Sequence, residues 1–219
     1  MTPGDFDGMA AHRFTDTVIS ETRLRELMGE PSELVVRKGL NALGHHCRAF
    51  IALSPLALVG TVSANGAADV SPRGDAPGFV QALDDHTLVI PERPGNRRLD
   101  TLRNILQTGR VGLLFIVPGV EETLRVNGRA YLVRDAEILD RATVHGKRPL
   151  IAIGVKVEEC FMHCAKAFKR SKLWDSTLWP DRAMLPSLAR MLLDQARLPG
   201  ATIEGLDARL EESYVTRLY

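Results

Sequence analysis

The sequence is short of cysteine, of net charge and of long apolar runs, and each shortage excludes a class of protein. Three cysteines among 219 residues cannot all pair within one chain, which fits a reducing compartment and predicts a cytoplasmic location. With 28 basic and 27 acidic residues, no overall charge attracts the chain to nucleic acid or to a membrane surface. No segment approaches the ~18 consecutive apolar residues of a membrane span. The opening MTPGDFDGMAAHRFTD lacks the apolar centre of a signal peptide.

Several catalytic and metal-binding motifs are also missing. The chain has no G-x-S-x-G nucleophile turn, no G-x-x-x-x-G-K phosphate loop and no G-x-G-x-x-G dinucleotide loop, which disfavours a hydrolase or a Rossmann domain. Cys160, His163 and Cys164 are potential metal ligands, but no second Cys or His pair follows them to complete a four-ligand zinc site. The HHC segment at 45–47 could join them only through a fold that the sequence does not fix, so no metal is predicted.

Strands dominate the middle of the chain. The run LALVGTVSANGAADVS alternates around Asn65–Gly66, which predicts a hairpin. HTLVIP, RVGLLFIVPG, ETLRVNGRAYLVRD and LIAIGVKVEECFMH are further predicted strands, with Leu124, Val126, Ala130 and Leu132 as inward residues of the third. Because these strands do not alternate regularly with helices, a closed or partly closed antiparallel barrel is predicted and a doubly wound parallel sheet is disfavoured.

Helices are predicted at both ends of the chain and between the strands, where the segment AEILDRATVHG is a short one. Ser20 caps a first short helix, and Pro31–Ser32 opens a second that continues to Leu43. Residues 96–109, NRRLDTLRNILQTG, form a helix with an apolar stripe that ends at a glycine. That stripe consists of Leu99, Leu102, Ile105 and Leu106. Two more helices, broken at Pro199–Gly200, form the tail.

Two arginine-bearing strand ends suggest an anion site. In VSPRGDAPGFV, Arg73 follows a proline and contributes nothing to a turn, and in IPERPGNRRLDTL, Arg97 and Arg98 fall at the predicted helix start. Cations there oppose the helix dipole, and an anionic ligand removes the conflict. The two strand ends could converge on one phosphate or one planar aromatic ring. The alternatives are solvated arginines and a surface ion pair between Arg73 and Asp75.

A third segment, HCAKAFKRSKLW, predicts a helix after the last strand. Its basic residues lie on a polar face, and Trp174 is free to stack on a ligand. The alternative is a basic surface helix with a core tryptophan.

Together, SPRGDAPGFV, IPERPGNRRLDTLRNIL, VGLLFIVPG, ETLRVNGRA and FMHCAKAFKRSKLW occur in an order that resembles the pyridoxamine 5′-phosphate oxidase-like family of FMN-binding split-barrel proteins, in particular its uncharacterised bacterial branch. The resemblance covers residues 20–180. It implies a mainly β split barrel with helices: an N-terminal helical extension (1–48), a barrel core (49–175) and C-terminal helices (176–219). It also implies a homodimer with FMN at the subunit interface.

The resemblance assigns the cofactor contacts. It places the strand of Ser71, Arg73 and Gly74 along the flavin, and Ile90 and Pro91 at the isoalloxazine edge. The turn of Asn96, Arg97 and Arg98 would bind the phosphate, and the partner subunit would contribute Lys166, Arg170, Ser171 and Trp174. No catalytic side chain is identified. Residues that bind the substrate phosphate in the true oxidase find no match, so vitamin B6 oxidation is not predicted.

Two functions follow from these expectations. The first is an FMN-dependent oxidoreductase that passes hydride or electrons between the flavin and a small substrate, which suits the absence of strong acid–base candidates. The alternative is a flavin- or haem-binding module without turnover. The substrate, the electron donor and a deazaflavin in place of FMN are left open.

Overall fold

The computed structural model describes residues 14–219, so the first part of the predicted extension and most of the segment tested for a signal peptide lie outside the described residues. The chain divides into two compact units, Met1–Arg37 and Lys38–Tyr219. In the first unit, helices α1 (Glu21–Met28) and α2 (Glu33–Arg37) bury none of their residues. Ser20 caps α1 as predicted, because its hydroxyl oxygen accepts a hydrogen bond from the Arg23 N–H at 3.2 Å.

The second predicted helix is shorter than expected. It ends at Arg37 instead of continuing to Leu43. The cause lies three residues further on, where Leu40 exchanges two backbone hydrogen bonds with Cys160, of 2.9 and 2.7 Å. This bridge holds the chain in an extended conformation that a helix cannot adopt.

The second unit is built on one antiparallel sheet of seven strands. The strands are β1 (Leu56–Val62), β2 (Ala68–Gly74), β3 (Gln81–Ala82), β4 (Thr87–Pro91), β5 (Arg110–Ile116), β6 (Thr123–Val133) and β7 (Ala152–His163). Their order is β2-β1-β5-β6-β7-β4-β3, and every neighbouring pair is antiparallel. Because β2 and β3 are the free edges, the sheet is not closed, which fits a split barrel. The predicted mainly β fold is confirmed.

The local sequence explains the strand pattern. The predicted hairpin joins β1 and β2, with Gly66 at φ 87° and its N–H bonded to the Ser63 carbonyl oxygen at 3.0 Å. In β6, the predicted inward residues Leu124, Val126 and Ala130 are buried and Leu132 is half-buried. A register shift against β7 follows Asn127. At Gly128, any Cβ atom would overlap the main-chain oxygen of Lys156, so only glycine fits there.

Six helices complete this unit over the described residues. They are α3 (His45–Leu53), α4 (Asp100–Thr108), α5 (Ala136–Arg141), α6 (Lys166–Ser171), α7 (Leu188–Ala196) and α8 (Ile203–Thr216). Helix α3 was not predicted, since its N-cap is Gly44 and no side chain caps it. It nevertheless buries Cys47 and Ile51 in the core of the sheet. The two predicted tail helices are confirmed, and no helix among residues 14–219 is long and apolar enough to cross a membrane.

Candidate functional site

A cavity of about 970 Å³ lies where several chain segments meet. Its lining comes from β2, from residues 92–102 between β4 and the first turn of α4, from residues 147–151 before β7, and from the end of α8. The lining residues of β2 are Asp69, Ser71, Pro72 and Arg73, and those at the end of α8 are Ser213, Thr216, Arg217 and Tyr219. A smaller cavity of about 400 Å³ shares the segments around Arg73 and Arg93. The two arginine-bearing strand ends of the sequence therefore face one cavity.

Five of the predicted cofactor residues line the larger cavity: Ser71, Arg73, Asn96, Arg97 and Arg98. Gly74 and Pro91 line the smaller one. Ile90 lies in the hydrophobic core with no exposed surface and lines neither cavity.

The residues predicted to come from a partner subunit lie elsewhere. Lys166, Arg170 and Ser171 belong to α6, and neither they nor Trp174 lines either cavity of this chain. The Trp174 indole N–H donates to the Val120 carbonyl oxygen at 2.9 Å. Their contact with a cofactor across an interface stays a prediction.

The turn before α4 differs from the predicted helix start. The helix begins at Asp100, so Arg97 and Arg98 precede it and do not lie in its first turn. Arg97 (φ 62°) and Leu99 (φ 63°) both adopt the left-handed conformation, and the Asn96 side-chain oxygen accepts the Arg98 N–H at 3.0 Å. The expected conflict with the helix dipole is therefore wrong, since the acidic Asp100 occupies the first turn. Two left-handed residues without glycine cost about 1–2 kcal/mol each, a strain typical of ligand-binding turns.

Half of the buried residues of α4 are polar, whereas the sequence predicted an apolar stripe. Leu99 and Leu106 are 52% and 74% exposed, whereas Thr101 and Asn104 are buried. The Thr101 hydroxyl donates to the Asp69 carboxylate at 2.9 Å and lies 2.6 Å from the Ser71 hydroxyl. These bonds fix the start of α4 against β2, and with it the turn that carries Arg97 and Arg98.

Two ion pairs connect the end of β2 to the segment after β4. Arg73 pairs with Glu92 at 2.9 Å, and Arg93 pairs with Asp75 at 2.8 Å. Arg73 therefore does not pair with Asp75, as the surface-pair alternative required. All four side chains are less than a fifth exposed, and the Asp75 carboxylate is only 2% exposed. Arg93 was not singled out from the sequence, although Glu92–Arg93 carries the same two charges as Arg73 and Asp75.

Asp75 is the most enclosed charge of this network. It accepts hydrogen bonds from the Ala76 N–H at 2.8 Å, from the Tyr219 hydroxyl at 2.8 Å and from the Arg93 guanidinium at 2.8 Å. Burial raises the pKa of Asp75, but these hydrogen bonds outweigh burial and hold the pKa below its ordinary value. The same contact raises the pKa of Tyr219, because the ionised Asp75 favours the protonated phenol.

The larger cavity has more basic than acidic side chains. Seven lysine and arginine residues line it, against the three carboxylates Asp69, Glu92 and Asp100. Two of the seven, Arg93 and Arg148, pair with Asp75 and Asp140, which do not line this cavity. Arg98 hydrogen-bonds to Asp100 at 2.8 Å, which raises the pKa of the arginine. The Arg97 guanidinium makes no hydrogen bond or ion pair with any other residue in 14–219. Arg97 is therefore a cation at the cavity surface that no carboxylate among residues 14–219 neutralises.

The cysteines lie away from this cavity. Cys160 donates to the Ala42 carbonyl oxygen at 3.1 Å, and its sulfur lies 3.9 Å from that of Cys47. Burial, reinforced by Cys47, raises the pKa of Cys160 to about 12. Across residues 14–219, no three His, Cys, Asp or Glu side chains come together as metal ligands.

Comparison with known proteins identifies the family. The sequence profile described as pyridoxamine 5′-phosphate oxidase matches residues 43–164, more than half of the chain. The chain belongs to this family. The match contains β1 to β7 and the whole 69–73 and 92–102 lining of the cavity, so the resemblance drawn from the sequence motifs is confirmed.

The chain is also similar to several solved structures, which are distant in sequence. HupZ from Group A Streptococcus is 21% identical, over 54% of this chain and 92% of that one, with a TM-score of 0.46. An FMN-binding protein from Syntrophomonas wolfei is 17% identical, over 66% and 96%, with a TM-score of 0.45. An FAD binding protein from Mycobacterium smegmatis is 16% identical, over 57% and 97%, with a TM-score of 0.39. No curated protein matches the chain.

Proposed function

We propose that this member of the pyridoxamine 5′-phosphate oxidase family binds FMN in the larger cavity and acts as an FMN-dependent oxidoreductase on a small substrate. The observation that carries the proposal is the unpaired Arg97, held on a strained turn at the edge of a cavity of about 970 Å³ with an excess of basic residues. A phosphate monoester is the complementary ligand, because it carries a charge of about −1.5 to −2 and three acceptor oxygens.

The residues present fit FMN. Arg97 and Arg98 would bind the phosphate, while Ser71 and Arg73 on β2 would lie along the remainder of the cofactor. When bound, the flavin supplies the hydride or electron transfer. Neither histidine nor cysteine lines this cavity among the described residues. Its carboxylates are held by Arg73, Arg98 and Thr101, so these side chains bind and orient.

The cofactor would lie between two subunits of a homodimer. This part of the proposal rests on the resemblance that assigns Lys166, Arg170, Ser171 and Trp174 to the partner subunit, and it agrees with their position outside the two cavities described above. A flavin bound only by the assembled dimer stabilises that dimer by mass action. Sedimentation of flavin-loaded protein as a monomer would contradict this arrangement.

The test compares FMN with riboflavin, which lacks the phosphate. Arg97→Ala should weaken FMN binding about ten- to a hundredfold, measured by quenching of flavin fluorescence, because a charge-assisted contact to phosphate is lost. Riboflavin binding should change little. The matched control is Arg103→Ala, since Arg103 is an exposed arginine of α4 that lines no cavity. Equal loss for both flavins would show that Arg97 does not hold the phosphate.

The redox part of the proposal has its own readout. Purified protein should show flavin absorbance bands that bleach within seconds to minutes of NAD(P)H addition. Flavin bands that persist indicate a binding module without turnover with these donors, and a Soret band indicates haem.

A further inference from the structure

Asp69 is a carboxylate of the larger cavity that makes no ion pair in the part of the chain that the structure describes. The other two carboxylates of the lining are both paired. Glu92 pairs with Arg73. Asp100 pairs with Arg98. The Oδ2 atom of Asp69 accepts hydrogen bonds from hydroxyl groups, and its Oδ1 atom accepts none from the described residues. One oxygen of this half-buried carboxylate is therefore unused by the described part of the protein.

Two hydroxyl groups lie beside the Asp69 carboxylate. The Thr101 hydroxyl lies 2.9 Å from Asp69 Oδ2, and the Ser71 hydroxyl lies 3.4 Å from the same atom. The two hydroxyl oxygens lie 2.6 Å apart, a distance at which one of their protons must lie between them. In the arrangement with the shorter bonds, Ser71 donates to Thr101, which donates to the carboxylate. In the other arrangement, Thr101 donates to Ser71, which donates to the carboxylate.

Both arrangements use both hydroxyl protons among these three side chains. A hydroxyl group has one proton and two lone pairs, and an ionised carboxylate only accepts hydrogen bonds. Ser71 therefore has no proton left for a ligand and offers it lone pairs alone. We call Asp69, Ser71 and Thr101, which all line the larger cavity, the acceptor cluster. At this cluster the cavity wall accepts hydrogen bonds from a ligand and donates none through these side chains.

An acceptor-only wall favours some groups of a ligand over others. A phosphate placed there would meet lone pairs and a charge of its own sign, which is unfavourable in a partly enclosed site. Hydroxyl and N–H groups bring the protons that the acceptor cluster lacks. Nucleotide-binding proteins use a carboxylate in this way to bind ribose hydroxyl groups.

The position of the acceptor cluster narrows the choice of ligand group. Thr101 belongs to the first turn of α4, shortly after the turn of Arg97 and Arg98 that is proposed to hold the phosphate. In FMN, the group attached to the phosphate is the ribityl chain, whose hydroxyl groups are hydrogen-bond donors. A polyol next to a phosphate therefore complements acceptors next to arginines.

From this arrangement we propose that the acceptor cluster binds hydroxyl groups of the ribityl chain of FMN. Asp69 and Ser71 are the binding residues, and Thr101 is a positioning residue that keeps Ser71 an acceptor. This inference rests on the proposed function, because it assigns a part of the same cavity to one part of the cofactor. It leaves the phosphate to Arg97 and Arg98.

The test compares riboflavin with lumiflavin, which has the same ring system and no ribityl chain. Neither flavin carries a phosphate, so the proposed phosphate contacts do not enter the comparison. Asp69→Asn keeps the size of the side chain but replaces an acceptor oxygen by a donor group, and it should weaken riboflavin binding about tenfold or more. Ser71→Ala should weaken it about two- to tenfold, as loss of a neutral hydrogen bond does. Lumiflavin binding, measured by fluorescence quenching, should stay within about twofold in both variants.

The matched control is Asp135→Asn. Asp135 is an exposed aspartate that precedes α5, makes no side-chain capping bond and lines neither cavity. This variant removes one negative charge, as Asp69→Asn does, and should leave the affinities for riboflavin and lumiflavin as they are in wild type. A loss of riboflavin affinity in Asp135→Asn equal to that in Asp69→Asn would contradict the inference, because it would reflect net charge and not a contact.

Thr101→Val tests the positioning role. Valine keeps the shape of threonine and removes the hydroxyl, so Ser71 loses the group that lies 2.6 Å from its own hydroxyl oxygen. Riboflavin affinity should fall while lumiflavin affinity is retained, and Thr101→Ser, which restores the hydroxyl, should recover most of the loss. An equal loss for the two flavins in Thr101→Val would indicate a structural defect and would overturn the positioning role.

The results separate this inference from the proposed function. If wild type binds FMN and riboflavin, and neither Asp69→Asn nor Ser71→Ala weakens riboflavin, the inference is wrong and the proposed function stands. If both variants weaken riboflavin and lumiflavin equally, the acceptor cluster does not bind the ribityl chain and the inference is again wrong. If wild type binds no flavin, the proposed function fails, and this inference fails with it.

Discussion

Replacing Arg73 by alanine should destabilise the fold, whereas replacing Arg97 should not. Both arginines are predicted from the sequence to contact the cofactor, Arg73 along the flavin and Arg97 at the phosphate. Of the two, only Arg73 has a carboxylate partner among residues 14–219, Glu92, at 2.9 Å. The two side chains of this pair are 15% and 19% exposed, so truncation of Arg73 leaves the Glu92 carboxylate largely enclosed without its counter-charge. Arg97 is exposed and has no partner among residues 14–219, so its truncation leaves nothing unpaired.

The expected magnitude follows from the burial of the pair. An enclosed charged group that loses its partner costs about 2–3 kcal/mol. For a chain of this size, that loss lowers Tm by about 4–12 °C, at about 2–4 °C per kcal/mol. Arg97→Ala should stay within about 0.5 kcal/mol of wild type, as exposed substitutions usually do.

Thermal unfolding of flavin-free protein measures the difference, because bound FMN would itself raise Tm. The double variant Arg73→Ala/Glu92→Ala should lose less stability than the sum of the single variants, with a coupling of about 0.5–3 kcal/mol. The reasoning fails if Arg73→Ala has the Tm of wild type and loses FMN affinity as Arg97→Ala does. Arg73 would then be a ligand-facing cation, and its contact with Glu92 would contribute nothing.

Three further predictions concern other parts of the molecule. Asp75→Asn should have a lower free energy of unfolding than wild type at pH 7. This difference in free energy should become smaller as pH falls below about 4. A carboxylate whose pKa is lowered in the folded state stabilises the fold above its unfolded pKa, and that stabilisation is lost once the carboxylate is protonated. Urea midpoints measured from pH 2 to 7 would show this, and a gap that is constant with pH would contradict it. Gly128→Ala should cost about 1–3 kcal/mol in urea unfolding, since its Cβ overlaps backbone of β7; Gly95→Ala, with open space around its Cβ, is the control. Iodoacetamide at pH 8 should label the exposed Cys164, because a hydrogen bond from the Lys166 N–H lowers its pKa. Cys160 should stay unlabelled, because it is buried and burial raises its pKa to about 12. Mass spectrometry that finds both cysteines labelled in folded protein would refute the described burial of Cys160.

The strands could be predicted because their signals are local. Alternation over β6 and the Asn65–Gly66 turn lie within a few residues of the features that they specify. The start of α4 could not be placed from the apolar stripe. Leu99 fits the helical spacing but adopts a left-handed conformation as the N-cap, and it leaves the core to Thr101 and Asn104. Thr101 and Asn104 can be buried because Asp69 and Thr61, on the neighbouring strands β2 and β1, accept their hydrogen bonds.

The segments that line the cavity could be predicted from the sequence, but the ion pairs between them could not. Residues 69–73 and 92–102 do face one cavity, as the positions of the arginines at strand ends suggested. The partner of each arginine depends on contacts across the fold: Glu92 lies 19 residues from Arg73, and Tyr219 lies 144 residues from Asp75. No periodic pattern carries that information. In the sequence, Arg73 precedes Asp75 whereas Glu92 precedes Arg93, so the two segments carry opposite charges in the same order. This complementarity predicts the ion pairs only once the two segments are known to be adjacent.

The two ion pairs between β2 and the segment after β4 also explain why the end of β2 is so polar. Arg73 and Asp75 each bind the oppositely charged member of Glu92–Arg93, so the two segments attract each other in only one register. Shifting one segment would bring like charges together in a place where the side chains are less than a fifth exposed, and that is costly at low dielectric. The turn of Asn96 to Leu99 continues directly from this fixed segment, so the position of the unpaired Arg97 is set by arginines that are themselves neutralised. The arginines that hold these segments together differ from Arg97 in their carboxylate partners, and not in their sequence neighbours.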